Sequence, residues 1–172
     1  MPERQDIRLE RVTAAELPQF TEKLQQAFAV AVREKFGTTD PIPSADEVYS
    51  SFHACNTDTY HILWRGRRTG GAVVSTDEAS RRNSLELFFI SPEHHSRGIG
   101  LAAWQAIEAA YPQAAVWETV TPYFEERNIN FYVNKCGFHI VEFFNAYHVD
   151  PEAAAAAEPG TDAYFRFEKV MR

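Results

Sequence analysis

The sequence predicts an α+β fold, a mixed sheet of about seven strands with helices on both faces. Three observations carry this. Short apolar runs with strand periodicity alternate with stripes of three- and four-residue spacing. The early runs are joined by tight polar turns, as antiparallel neighbours are. One later pair, Leu85 to Ile90 and Ala115 to Val120, is separated by a helix-length amphipathic segment, as a parallel crossover requires.

Each element has its own local cause. Ile7, Leu9 and Arg11 alternate with polar residues in a first strand, and Thr13-Ala14-Ala15-Glu16 has the form of a capping box. Leu17, Phe20, Leu24, Phe28 and Ala31 then form a helix stripe. Pro18 lies past the first turn if Thr13 is the cap, so the helix start stays open between Thr13 and Leu17. Gly37 to Ser44 is a loop by composition, and Ser44 with Glu47 caps a second helix through about Ala54. Tyr60 to Trp64, a turn over Arg65 to Gly71, and Ala72 to Ser75 make a strand pair, which Leu85 to Ile90 joins.

Ser91-Pro92 stops that last strand, and Leu101, Trp104, Ile107 and Tyr111 mark the helix that crosses to Ala115–Val120. Pro122 ends the second parallel strand. A helix from Phe124 to Lys135 closes at Gly137, followed by a strand from Phe138 to Phe144. A loop from Asp150 to Thr161 and a strand from Ala163 to Val170 complete the chain, with no repeats.

Composition narrows the function. With 172 residues, 45% hydrophobic and 13% aromatic, a single domain over residues 1–172 buries roughly 70% of its unfolded surface. The 17 Lys and Arg against 24 Asp and Glu give a net charge of −7, which argues against nucleic acid and anionic membranes and would attract a cationic acceptor. Cys55 and Cys136 lack metal-ligand spacing and are too few for a disulfide framework, so no metal is expected and a reducing, cytoplasmic location is. No apolar stretch reaches the roughly 18 residues of a membrane span, and MPERQDIRLE is too charged for a signal peptide.

The most informative segment runs from the strand LELFFI through SPEHHSRGIG into the helix LAAWQAIEAAY. A helix start leaves several backbone N–H groups without partners and carries partial positive charge, which suits a phosphate. Gly98 and Gly100 clear side chains from that turn, and Arg97 adds a charge. The turn is neither a dinucleotide fingerprint, lacking the third glycine and the acidic residue, nor a P-loop, lacking Gly-Lys-Ser/Thr.

His95-Ser96-Arg97-Gly98-Ile99-Gly100 resembles the acyl-CoA-binding motif Q/R-x-x-G-x-G/A of the GNAT superfamily of N-acetyltransferases, with His95 at the usual Gln or Arg position. Asn128-Ile129-Asn130-Phe131-Tyr132-Val133-Asn134-Lys135-Cys136-Gly137-Phe138 resembles the family's later motif, a helix with a Phe/Leu-Tyr pair that ends in Gly-Phe. The resemblance implies parallel central strands that splay at their carboxyl ends and acetyl-CoA as cofactor, with acetyl transfer to a primary amine on a small molecule or peptide. Ser96, Arg97, Gly98, Ile99, Gly100 and Leu101, with His95, would surround the diphosphate, and the backbone at Phe89 and Ile90 would meet the pantetheine arm. A bulge in that strand would turn one N–H toward the cleft.

Transfer needs a neutral amine, a stabilised oxyanion and a proton for the departing thiolate. By resemblance Tyr132 is the general acid. For the base, Glu86, on the same strand face as Ser84, and Glu118, on the next parallel strand, are rivals. His94 and His95 are read as facing phosphate or solvent. Glu125 stands where many relatives place an asparagine that reaches the pantetheine arm, so either Asn128 takes that role or backbone alone holds the arm. A non-catalytic CoA-binding sensor or interaction module on the same fold is the alternative function, and a homodimer is left open.

Overall fold

The computed structural model describes residues 1–36, 43–152 and 163–172. Most of the loop expected over Gly37 to Ser44, and most of that over Asp150 to Thr161, lies outside the described residues. Seven strands form one sheet: β1 (Ile7–Arg11), β2 (Thr57–Trp64), β3 (Arg67–Ser75), β4 (Arg82–Ile90), β5 (Val116–Pro122), β6 (His139–Phe144) and β7 (Tyr164–Val170). Their order is β1-β2-β3-β4-β5-β7-β6, antiparallel throughout except for the parallel pair β4–β5. The helices are α1 (Leu17–Phe36), α2 (Ala45–His53), α3 (Ile99–Ala110) and α4 (Glu126–Asn130). The α+β mixed sheet is therefore present with all seven expected strands.

Two apolar layers sandwich the sheet. On one face Trp104 and Ile107 of α3 pack with Tyr132, Trp117, Phe138, Phe167, Leu85 and Ile62. On the other, Leu17, Phe20 and Leu24 of α1 and Val48 of α2 pack with Val73 and Phe89. Trp104 and Trp117 meet edge-on with ring centroids 5.1 Å apart, a favoured aromatic geometry.

Local chemistry resolves the helix starts. The Thr13 capping box forms, with the Thr13 N–H and hydroxyl both donating to Glu16 at 3.0 Å, but it caps a 3-10 turn over Ala14–Glu16. Helix α1 begins at Leu17, so Pro18 falls in its first turn, where no intrahelical donor is lost. Ser44 caps α2 by accepting from the Glu47 N–H at 3.2 Å.

The turn expected over Arg65 to Gly71 is shorter than composition implied. Arg65 and Gly66, with φ of +51° and +79°, make a two-residue turn of the kind that joins twisted antiparallel strands, and β3 already runs from Arg67. Gly70 and Gly71 lie inside the strand because there is no room for anything larger. A Cβ at Gly70 would stand 2.1 Å from the Phe89 carbonyl oxygen, and one at Gly71 would stand 2.3 Å from the Phe20 ring.

The helix expected from Phe124 to Lys135 divides instead. After α4 comes a π turn over Phe131–Lys135, marked by the Cys136 N–H donating to the Phe131 carbonyl at 3.0 Å. Gly137, at φ +85°, ends it as the sequence suggested. The wider turn lets two adjacent aromatics reach separate partners: Phe131 stacks on Phe88 of β4, and Tyr132 packs between Phe138 and Phe167. Among the described residues, no helix is long and apolar enough to cross a membrane.

Candidate active site

Strands β4 and β5 pair at Arg82–Val116, Asn83–Trp117 and Ser84–Glu118, and there the ladder stops. Beyond that point the two strands run apart, so the carboxyl-terminal half of β4 has β3 on one side and an open cleft on the other. Where they part, the buried Thr119 hydroxyl donates to the Leu85 carbonyl at 3.0 Å, replacing a ladder bond. The phenol of Tyr132 lies close enough to the same Thr119 side chain to interact with it electrostatically. Tyr132 thus stands at the vertex of the cleft, on the α3 face. Burial pushes its phenol above the ordinary tyrosine range, so it holds its proton at neutral pH.

Strand β4 carries a bulge. Val74 pairs with Leu85 and Val73 with Leu87, leaving Glu86 as the extra residue. The insertion reverses the alternation: Leu85 packs with the α3 layer, whereas Leu87, only two residues on, packs with the α1 layer. Phe88 and Ile90 then line the α3 side, and the Phe89 side chain is buried against Phe20. Glu86 accepts a 2.7 Å bond from the Ser75 hydroxyl, and Ser75 pairs with Ser84, so Ser84 and Glu86 share the α1 face. Glu86 and Tyr132 therefore approach the cleft from opposite sides of the sheet.

Glu118 has a different setting. It ion-pairs with Arg82 and, at 3.2 Å, with Arg166, which in turn engages Glu168 and Glu142.

At the end of β4 the turn bears the backbone features an anion site needs. Ser96 and Gly98 both have positive φ, +62° and +78°, and α3 opens without any side-chain cap. The amides of Ile99, Gly100 and Leu101 are consequently left for a ligand. Ser96 and Arg97 are exposed, Gly98, Gly100 and Leu101 half-buried, and Ile99 is in the core. The glycines also serve the protein itself: the space a Cβ would take at Gly98 borders Met1 at 3.3 Å, and at Gly100 it borders the Phe131 ring at 3.4 Å.

His95 is held by protein. Its Nδ1 receives a bond from Arg127 at 3.1 Å, which leaves Nε2 as the N–H that donates to the Ile90 carbonyl. The imidazole thereby ties the turn to the end of β4. Asn128 is half-buried one residue further along α4.

Sequence reasoning did not single out Thr119 or Arg127. Thr119 sits two residues after the buried Trp117, so strand alternation marks it as an inward polar residue. Arg127 carried no signal, because only the fold brings α4 against the turn.

A model of the acetyltransferase (GNAT) family matches residues 21–138 of the chain. The chain is 53% identical over 172 residues to the protein named "Uncharacterized protein YrkN" of Bacillus subtilis (strain 168), covering 95% of this chain and 93% of that one. Among solved structures, the ribosomal-protein-S18-alanine N-acetyltransferase of Escherichia coli superposes with a TM-score of 0.69 at 13% identity, over 94% of this chain and 92% of that chain. The spermidine N-acetyltransferase of Vibrio cholerae, solved with CoA and spermine, gives 0.69 at 11% identity over 96% of each chain. At such identities the likeness is one of fold.

Proposed function

The chain belongs to the acetyltransferase (GNAT) family, and on that premise we propose that it moves an acetyl group from acetyl-CoA to a primary amine by direct transfer. The observation that carries the proposal is the parting of β4 and β5 directly over the Tyr132–Thr119 pair, in line with the uncapped amides of α3.

The N–H groups of Ile99, Gly100 and Leu101, within the turn of His95, Ser96, Arg97 and Gly98, hold the diphosphate, and Arg97 and Arg127 add positive charge beside it. The cleft-facing edge of β4 near Phe89 and Ile90, helped by Asn128, bonds the pantetheine arm through the backbone groups that His95 and β3 do not already hold. A β4 N–H freed at the bulge polarises the thioester oxygen. Glu86, directly or through a water, takes the proton of the amine as its nitrogen attacks the carbonyl carbon from the α1 side. The C–N bond forms, the C–S bond breaks, and Tyr132 gives its proton to the departing sulfur from the α3 side before being reprotonated from solvent. Glu86, whose partner is a neutral hydroxyl, suits the base role better than Glu118, which two guanidinium groups already engage.

The acceptor class is a primary amine, and the net charge of −7 favours a cationic one. Both cysteines are free, in keeping with a cytoplasmic setting.

The test is a thiol-release assay with acetyl-CoA against a panel of polyamines, amino acids and amino-terminal peptides, run beside calorimetric titration of CoA. Binding with turnover of at least one amine is the expected result. Binding without turnover across the panel replaces the enzyme with a CoA-binding sensor, and absence of binding removes both readings.

A further inference from the structure

A second cluster lies on the α1 face, in side chains to which the acyl-transfer reading gives no role. Glu10 of β1 and His61 of β2 are direct cross-strand partners, and Glu16, at the end of the 3-10 turn, folds back over them. We propose that Glu10, Glu16 and His61 bind a divalent transition-metal cation of the Zn2+ or Co2+ type.

The three side chains present their ligand atoms within 4.8 Å of one another. The His61 side chain is only 7% exposed, and its buried Nε2 makes no hydrogen bond although it lies 3.4 Å from Glu16 Oε2. That separation is close to the edge of a tetrahedron built on metal–ligand bonds of about 2.0–2.1 Å. A buried ring nitrogen without a partner costs free energy, and a cation between it and the carboxylates removes that cost.

Glu16 is already aimed. Thr13 donates twice to its Oε1, which turns Oε2 toward His61. One imidazole with two carboxylates favours a first-row transition metal over Mg2+ or Ca2+, which prefer all-oxygen sets.

Arg68 marks the place of the cation. Its terminal nitrogen lies 2.9 Å from Glu10 Oε1 and also contacts Glu16 Oε2, while its side chain is 45% exposed. Beside it opens a cavity of about 140 Å³ lined in part by His61, Arg68, Gln19 and Ser91, with room for the water that completes an open three-ligand site. Arg68 is thus a built-in competitor, which gives the proposal a distinctive signature.

The experiment uses untagged, chelator-treated full-length protein. Co2+ is followed by visible absorption and Zn2+ by calorimetry, in wild type, Arg68→Gln and His61→Ala, with circular dichroism to establish that each is folded. The expected result is one ion per chain, tightened about tenfold or more by Arg68→Gln because a competing positive charge is gone, and weakened at least as much by His61→Ala. Glu16→Gln repeats the test should His61→Ala fail to fold. Two results overturn the proposal: no ion bound by folded Arg68→Gln below about 1 mM, or binding that survives unchanged when a ligand is removed.

Discussion

Replacing Tyr132 with phenylalanine removes one hydroxyl from the vertex of the cleft and leaves every ring contact in place. The ring packs against Phe131, Phe138 and Phe167, at centroid distances of 5.3, 5.6 and 5.7 Å, and these are kept. Thr119 still donates to the Leu85 carbonyl, so no buried oxygen is orphaned. The cost in stability is then at most that of one hydrogen bond, about 1 kcal/mol. The cost in rate is larger. A positioned general acid contributes about 10²–10⁴-fold, equal to roughly 3–5 kcal/mol of barrier. The assay is steady-state thiol release over pH 6–9 with the best amine of the panel, beside a CoA titration and a thermal melt. We expect kcat to fall about a hundredfold or more, the CoA Kd to stay within about twofold, and the melting temperature to move by no more than a few degrees. A variant that keeps its rate refutes the acid role. One that loses rate only in proportion to stability shows the tyrosine to be a packing residue.

Other consequences are separately measurable. Gly70→Ala should cost about 3 kcal/mol in a denaturant melt, because its Cβ would meet the backbone oxygen of Phe89 at 2.1 Å and neither central strand has space to retreat. Ser96→Gly should raise stability by about 1 kcal/mol by relieving a left-handed residue at φ +62°, while leaving CoA affinity intact because the amides do the binding. Arg127→Ala should weaken CoA by about tenfold yet leave acetyl-pantetheine, which has no diphosphate, unaffected in a titration. His61, whose pKa is lowered first by burial, resists protonation in the folded chain, so below pH about 6.5 the unfolded chain binds more protons and stability declines as pH falls. In His61→Gln the melting temperature should decline less steeply over that window.

The strands and the glycine turn were readable because their causes are local. Alternating runs, a proline stop and a helix stripe in sequence leave few ways to fold Leu85 to Val120. Thr13 and Ser44 were equally legible as caps, and even the doubtful start of α1 had both its answers written in Thr13 and Pro18. What stayed hidden depends on contacts between distant segments. The bulge that sets Glu86 apart was expected from the family resemblance alone, since it is a register shift between β3 and β4 and no residue in β4 announces it. Gly70 and Gly71 looked like turn residues, yet they are strand residues that let Phe20 and the Phe89 carbonyl come close. Glu118 matched Glu86 as a base candidate until Arg82 and Arg166, 36 and 48 residues away in sequence, were found on it. Arg127 and the Glu10–His61 pair likewise exist only once the sheet has assembled.

A crystal structure with bound acetyl-CoA tests the central claim most directly. The account predicts diphosphate oxygens at about 3 Å from the amides of Ile99, Gly100 and Leu101, and the thioester sulfur within hydrogen-bond reach of the Tyr132 hydroxyl in the gap between β4 and β5. A diphosphate bound elsewhere, or an acetyl group lying outside that gap, would contradict it.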